Sequence, residues 1–504
     1  MFTGAGTSII DAQHQQCQWS VIIKPISTKR IISKTCRMKR IKYFSSYIFL
    51  IAFSLLYLSS CADSNQSAGT EKESNEIERP EQTEIKMVGQ WLGQGDREQF
   101  IREFVREYNF LHQDKKVTMI FPEDLVGNDR GGQKLDQMTA KQLKSDQSEY
   151  DLLMLNNVNN IILDEPDWAE KYLVDFTQID GFAENTVDGV IEKNRDRWSG
   201  IIPGPFIEGY NYALWSNQEV AEKLGIEIKQ IGMTFEDFRS YLKAMHDYNQ
   251  TVTEEERIYG ILEAGDWSTL VNLFNQLFLS NLENPDQYHN EYISESKLQA
   301  WHQSLKQLET LAPYKPLHPE WKSMIWNDIF PEMLNGKYLF FSNATWMYNF
   351  WQGVNNGNLN NMMPSEYPVT KPVDYYIGGY QIMWVVPKNA KNKEAAIELL
   401  MAMNQPKVAD KWVRAAKSPT GIKAELSSSS MGGDQFENFI NSIEEKYGEN
   451  KITLGGNSQY IFDYDRRFSN NYGHEVMAGQ MTADEAIRTI RESFRTQNIK
   501  IIKE

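Results

Sequence analysis

Cys61 is a thiol whose chemistry is set by what precedes it. Lys39-Arg40-Ile41-Lys42 leads into Ile48–Leu58, where ten of eleven residues are apolar, and Ser59-Ser60 then precedes the cysteine. A basic start, an apolar run and a small-residue pair make an export signal, and a cysteine at its end is placed for lipid attachment. A transmembrane helix needs about 20 apolar residues. The run here is shorter, and it exits into the polar stretch Ala62–Gln66. The other groups with chemistry in reach are rings, amides and carboxylates. Trp91, Gln94 and Asp96 share one turn, Asn156-Asn157 lies in a second, and Trp267 lies on a loop after a strand. Flat aromatics and hydrogen-bonding side chains hold ligands. Catalytic signatures are missing: there is no His-Glu-x-x-His, no Gly-x-Ser-x-Gly and no Walker loop, and the seven histidines lack ligand spacing. No metal and no cofactor are expected, and no enzyme.

Composition narrows the class. The formal charge of -16 argues against a nucleic-acid binder, which needs a basic face to displace phosphate counterions. Apolar residues at 41%, with 24 Phe, 24 Tyr and 13 Trp, are ample for a core. The only cysteines are Cys17, Cys36 and Cys61, so the exported portion has no thiol beyond the lipid site and no disulfide within it. Met38 reads as the working start, with residues 1–37 an upstream extension and 38–60 the signal. Residues 61–84 read as a tether: Ala62–Glu84 lacks aromatics and has Ile77 as its single large apolar residue. As a coil its root-mean-square reach is about 25–30 Å.

Order is expected from Glu84 onward. Glu84–Gly89 suits a first strand, and Asp96 with Gln99 forms a capping-box pattern before a helix carrying Phe100, Ile101, Phe104, Val105 and Tyr108 on one face. Val117–Phe121 reads as a strand, Lys134–Lys144 as a helix and Tyr150–Leu155 as a buried strand, which together predict a right-handed parallel α/β layer. Ligands in such layers gather beyond the carboxyl ends of the strands. That puts Trp91–Asp96 and Asn156–Asn159 on one rim. Asp96 there is either a ligand contact or a helix cap, and Asn156 and Asn157 either bind a ligand or form an Asx-turn.

Trp198–Asn217 combines prolines, glycines and a strand-like run and suits a connection between lobes. Thr234-Phe-Glu-Asp237 and Thr482 with Glu485 are further capping boxes. Helices are also expected over 270–279, 294–311, 325–334 and 392–404, and strands over 337–342 and 375–387, the last interrupted at Gly378-Gly379.

Leu58-Ser59-Ser60-Cys61 resembles the lipobox of bacterial lipoproteins, in which the new N-terminal cysteine carries acyl chains. The rest of the chain resembles the bacterial extracellular solute-binding proteins that feed ABC importers, in the sugar-binding branch related to the maltose-binding protein. The stretches that carry this, in order, are Leu173–Phe176, Ile201–Asn217, Lys223–Ile226 with Thr234–Phe238, Asn335–Trp346, and Gly378–Pro387 with Lys388–Ala396. Two departures stand out: Ser216-Asn217 replaces the family's Tyr-Asn, and Phe235 its Trp.

The resemblance implies an α/β, two-lobed periplasmic-binding-protein-like fold of type II. Residues 85–207 with 385–420 would form one lobe and 208–384 with 421–504 the other, with the ligand cleft between them. It implies a stacking role for Trp346, which could otherwise be a core residue, as could Trp267. Glu208 and Tyr210 would sit in the hinge near the ligand. Gly379 and Tyr380 would let backbone approach it, unless Gly378-Gly379 is only a bulge. The implied ligand is a mono- or oligosaccharide, the partners are ABC permease subunits and the membrane through the lipid anchor, and the protein would be a monomer. The alternatives are a lipid-anchored carbohydrate-active enzyme working through two carboxylates, or a glycan-binding surface protein.

Overall fold

The structure is a computed structural model that describes residues 82–89, 91–121, 133–155, 165–265, 268–289, 292–354, 357–424, 435–452 and 471–503. β1 (Thr83–Val88) runs parallel to β2 (Lys115–Ile120), paired from Thr83↔Lys115 to Val88↔Ile120. Thr83 and Glu84, expected at the end of a tether, are already in this ladder. Between these strands, α1 (Gly95–Leu111) buries Phe100, Ile101, Phe104, Val105 and Tyr108, the face that the helical spacing predicts. Its expected capping box does not form. The cap residue is Gln94, whose side chain does not cap a backbone N–H, and Asp96 lies inside the first turn.

After α2 (Gln133–Leu143) comes β3 (Leu153–Met154), whose neighbour Leu152 bridges Met87 in parallel. The strand–helix–strand–helix–strand order is the parallel layer that the apolar runs predict.

β4 (Glu208–Asn217) is buried at all ten positions. Next come α3 (Phe235–Asn249), β5 (Tyr259–Leu262), α4 (Val271–Asn281) and α5 (Glu295–Glu309). Thr234 and Asp237 close the predicted capping box on α3. The helix expected over 325–334 is α-helical only for Trp326–Ile329 and continues as 3-10 turns over Phe330–Asn335. Pro331 has no N–H to extend the α ladder, and Gly336 ends the stretch at φ 69. β6 (Tyr338–Ala344), α6 (Met347–Val354), β7 (Met362–Ser365), β8 (Tyr376–Gln381) and β9 (Trp384–Val385) follow.

α7 (Lys393–Met403) precedes α8 (Pro406–Ala416), α9 (Gln435–Tyr447), β10 (Lys451–Ile452) and α10 (Ala483–Thr496), the last closed by the predicted Thr482–Glu485 box. α8, α9 and β10 were not anticipated from the sequence.

Two hydrophobic cores result. One draws on Ile85–Ile207 and Tyr380–Ile422, the other on Tyr210–Ile377 and Phe436–Phe494. The chain passes between them after Ile207, between Ile377 and Tyr380, and again between Ile422 and Phe436. In the second lobe a six-stranded sheet runs β10-β8-β4-β6-β5, with β7 also paired to β4. β4 is its axis. Glu208–Asn211 pair antiparallel with Gln381–Gly378, and Tyr212–Ser216 with Ala344–Phe340. The register through Gly378-Gly379 is unbroken, so these glycines make neither a bulge nor an interruption. They are small for another reason: a Cβ on Gly378 would lie 2.7 Å from the Tyr210 carbonyl oxygen. Gly209 is equally tight. Its N–H donates to the Pro419 carbonyl at 2.7 Å, and a Cβ there would meet that oxygen at 2.8 Å. Three chain segments thus meet closely where the lobes join.

Candidate functional site

The turn after β1 delivers Trp91, Gln94, Asp96 and Arg97 to the lobe junction. Trp91, expected on an open rim, is instead 1% exposed and packed between Trp384, at 4.8 Å edge-on, and Trp412, at 5.2 Å. Its ring serves as a floor for the Arg97 guanidinium, 4.5 Å from the ring centroid. That contact supports a cation that has almost no water around it. Gln94 Oε1 accepts from Arg97 Nη1 at 2.8 Å, and Arg97 Nη2 pairs with Glu208 Oε1 at the start of β4. Burial pushes the Glu208 carboxyl above its usual range and the Arg97 guanidinium below its own, and each partner's charge opposes the other's shift. Glu208, expected to meet a ligand, is thus held by Arg97.

Asp96 makes its bonds across the junction. Its N–H donates to Gln352 Oε1 at 2.9 Å, and its carboxylate accepts from Gln352 Nε2 at 3.0 Å. Gln352 belongs to α6 of the other lobe. Asn349, one turn earlier on α6, donates to the Ala416 carbonyl at 2.7 Å. Closure over the first turn is close enough that a Cβ on Gly353 would lie 2.3 Å from the Gly93 carbonyl oxygen.

Alternation along β4 puts Glu208, Tyr210 and Tyr212 on one face and Gly209 and Asn211 on the other. On the first face Trp346, in the turn between β6 and α6, lies 5.4 Å from the Tyr210 ring and 5.6 Å from Tyr212, and the two tyrosines are 5.6 Å apart. The tyrosines are buried while Trp346 is only partly covered. The three rings make a braced aromatic platform at the lobe junction, with the Arg97–Glu208 pair at its end. Gly379 lies opposite Tyr210 in the ladder, so no side chain from that position intrudes on this face.

Tyr380 faces the other way. Its hydroxyl donates to Glu444 Oε2 at 3.0 Å and accepts from Lys451 Nζ at 3.1 Å, with the ammonium 4.4 Å over its ring. Asn211 Nδ2 donates to Glu444 Oε1 at 3.0 Å, and Lys451 pairs with the same oxygen. Burial lowers the Lys451 ammonium, against the pull of Glu444. Tyr380, expected where backbone approaches a ligand, thus bonds Glu444 and Lys451 on the face of the sheet opposite Tyr210. Trp267, Asn156, Asn157 and Cys61 lie outside the described residues.

Arg97, Tyr212, Gln352 and the Glu444–Lys451 pair were not anticipated. Tyr212 had a signal, since it stands two residues from Tyr210 in a strand and must share its face. Arg97 had none, because a charged residue in a helix's first turn ordinarily reads as solvated. The arrangement offers stacking surfaces and hydrogen-bonding groups. Among the described residues no group of three or more His, Cys, Asp or Glu side chains could hold a metal ion.

Two α/β lobes, crossed by the chain at a shared hinge strand and carrying ring faces at the junction, define a two-lobed binding-protein fold. The sequence pattern for the bacterial extracellular solute-binding proteins matches residues 94–410, and the chain belongs to that family. Among solved structures it is similar to the apo form of RafE from Streptococcus pneumoniae, at 13% identity and TM-score 0.59, over 82% of this chain and 98% of that one. It is similar to T. maritima MalE3, solved with maltose, at 16% identity and TM-score 0.57, over 82% of this chain and 100% of that one. It is also similar to the GacH receptor of Streptomyces glaucescens, solved with acarbose, at 14% identity and TM-score 0.56, over 83% of this chain and 100% of that one. These likenesses establish the fold, related to that of the maltose-binding protein. No curated protein matches the chain.

Proposed function

We propose that this protein captures a mono- or oligosaccharide outside the cytoplasm and delivers it to an ABC permease, held at the membrane by acyl chains on Cys61. The observation that carries the reading is the Trp346–Tyr210–Tyr212 platform. A pyranose presents C–H faces that stack on flat rings and hydroxyls that need amides or charged groups nearby. RafE has been solved with raffinose, MalE3 with maltose and GacH with acarbose, which supports the same ligand class here. Asn156, Asn157 and Trp267 remain candidates for the hydroxyl rim and a second stacking surface.

The anchor reading draws on the basic, apolar and cysteine pattern around Cys61. One acyl chain binds a bilayer only marginally, so lasting attachment calls for at least two.

Calorimetric titration of the purified chain against a panel of sugars, amino acids, polyamines and peptides tests the ligand class. Saccharide binding without turnover is the expected result. Heat from another class alone, or hydrolysis of an aryl glycoside, would replace this reading.

A further inference from the structure

Phe110 and Leu111, at the C-terminal end of α1, are 77% and 72% exposed, whereas every other large apolar side chain among the described residues reaches 41% at most. The backbone that carries them is bonded locally. Gln113 Nε2 donates to the Phe110 carbonyl at 2.7 Å, and His112 stacks on Tyr108 at 4.1 Å.

The chain enters the fold at the same spot. Gln82 Nε2 donates to the Gln113 carbonyl at 3.1 Å, and the Thr83 N–H to the Asp114 carbonyl at 2.9 Å. Whatever fastens the chain at Cys61 therefore pulls on the end of the molecule that displays this apolar pair. Twenty residues, 62–81, separate Cys61 from Gln82, and a chain of that length spans at most about 70 Å, so a contact between the pair and the surface that holds Cys61 is within its reach.

We infer that Phe110 and Leu111 form a lipid-contact point, resting in the interfacial layer of the bilayer that holds the anchor. An aromatic and an aliphatic side chain side by side suit that layer, where the apolar faces of peripheral proteins are buried. The inference rests on the anchored reading of Cys61.

It has a consequence for orientation. α1 has 17 residues, and at 1.5 Å per residue its two ends lie about 25 Å apart. The lobe junction is at the opposite end from the apolar pair. Resting on Phe110 and Leu111, the protein points its ligand cleft away from the membrane, collecting solute from outside, and must lift and turn on its tether to meet a permease.

The test uses the full chain, expressed in a bacterium and purified from membranes into vesicles of phosphatidylethanolamine and phosphatidylglycerol. Cys17 and Cys36 are changed to serine, and an environment-sensitive fluorophore is attached at Leu111→Cys or, as a control on the second lobe, at Lys371→Cys, which is exposed. The expected result is quenching by spin-labelled lipid at least twofold greater at 111 than at 371. Mass spectrometry of the N-terminal peptide is run alongside. An acylated Cys61 with equal quenching at both sites overturns the lipid contact and leaves the anchor standing. A Cys61 without acyl groups overturns the anchored reading and the inference with it. A signal at 111 that grows with protein concentration and ignores spin-labelled lipid assigns the pair to a second copy of the chain, which also overturns it.

Discussion

Gln352 and Asp96 exchange two hydrogen bonds, the amide oxygen taking the Asp96 N–H and the amide nitrogen reaching its carboxylate. One residue sits on α6 of the second lobe and the other in the first turn of α1, so the pair exists only while the lobes are together. Asp96 also lies in the first turn of its own helix, where a carboxylate is favourable. Each such bond contributes roughly 1 kcal/mol net. Gln352→Ala should shift the molecule toward an open form, raising the radius of gyration in X-ray scattering. An open form that binds poorly lowers apparent affinity by the fraction lost, so ligand binding should weaken roughly five- to thirtyfold for the two bonds together. Unfolding of the lobes themselves should hardly change. An unaltered scattering profile would show that the link does not govern closure.

Trp346 is the ring of the platform that is not fully covered. Trp346→Ala should weaken ligand binding by about 2 kcal/mol or more, as aromatic hot spots do, while unfolding stays cooperative. Tyr212→Phe keeps the ring and should cost much less, whereas Tyr212→Ala removes the brace and should approach the tryptophan variant. Calorimetric titration of the three variants with the same sugar separates stacking from hydroxyl contact. Equal affinities across the series would place the ligand elsewhere.

How far the fold could be read ahead depended on periodicity. α1, α3 and α10 show one apolar face each, and Thr234 and Thr482 cap theirs as the spacing predicts. Asp96 had the same spacing to Gln99 but no cap, because the helix starts two residues earlier, with Gln94 at the cap position, and Gln352 takes the carboxylate. Local pattern cannot register a partner 256 positions away. Residue type alone does not give depth. Trp91 looked like a rim residue because it follows a strand, yet Trp384 and Trp412, remote in the sequence, enclose it. The face that Tyr380 presents follows only from the register, which Gly379↔Tyr210 fixes.

The Arg97–Glu208 pair is almost completely buried. Removing one partner of such a pair leaves a lone charge in a low-dielectric setting and typically costs about 3–5 kcal/mol, whereas replacing both by apolar groups is often close to neutral. Glu208→Leu alone should therefore destabilise the protein strongly in urea. Arg97→Met with Glu208→Leu should recover most of the loss. Equal destabilisation in the single and double variants would mean that Arg97 matters through its seat on Trp91 rather than through charge.

Glu165 offers a pH test well away from the junction. Lys144 at 2.6 Å, Lys171 at 2.8 Å and the Tyr172 hydroxyl at 2.8 Å surround its carboxylate and hold its pKa down, from 4.5 to about 2. A depressed carboxyl binds its proton more weakly in the folded state, so its contribution is present above the unfolded pKa and disappears as pH falls through the folded one. The window runs from about pH 4.5 down to about 2. In Glu165→Gln that titration is gone, so the thermal midpoint should fall less steeply than the parent's across this window, and the two curves should converge at its acid end. The difference should shrink with added salt, because the cluster lies at the surface and its charges are screened. Parallel curves at every pH would show that these lysines do not hold the carboxylate in solution.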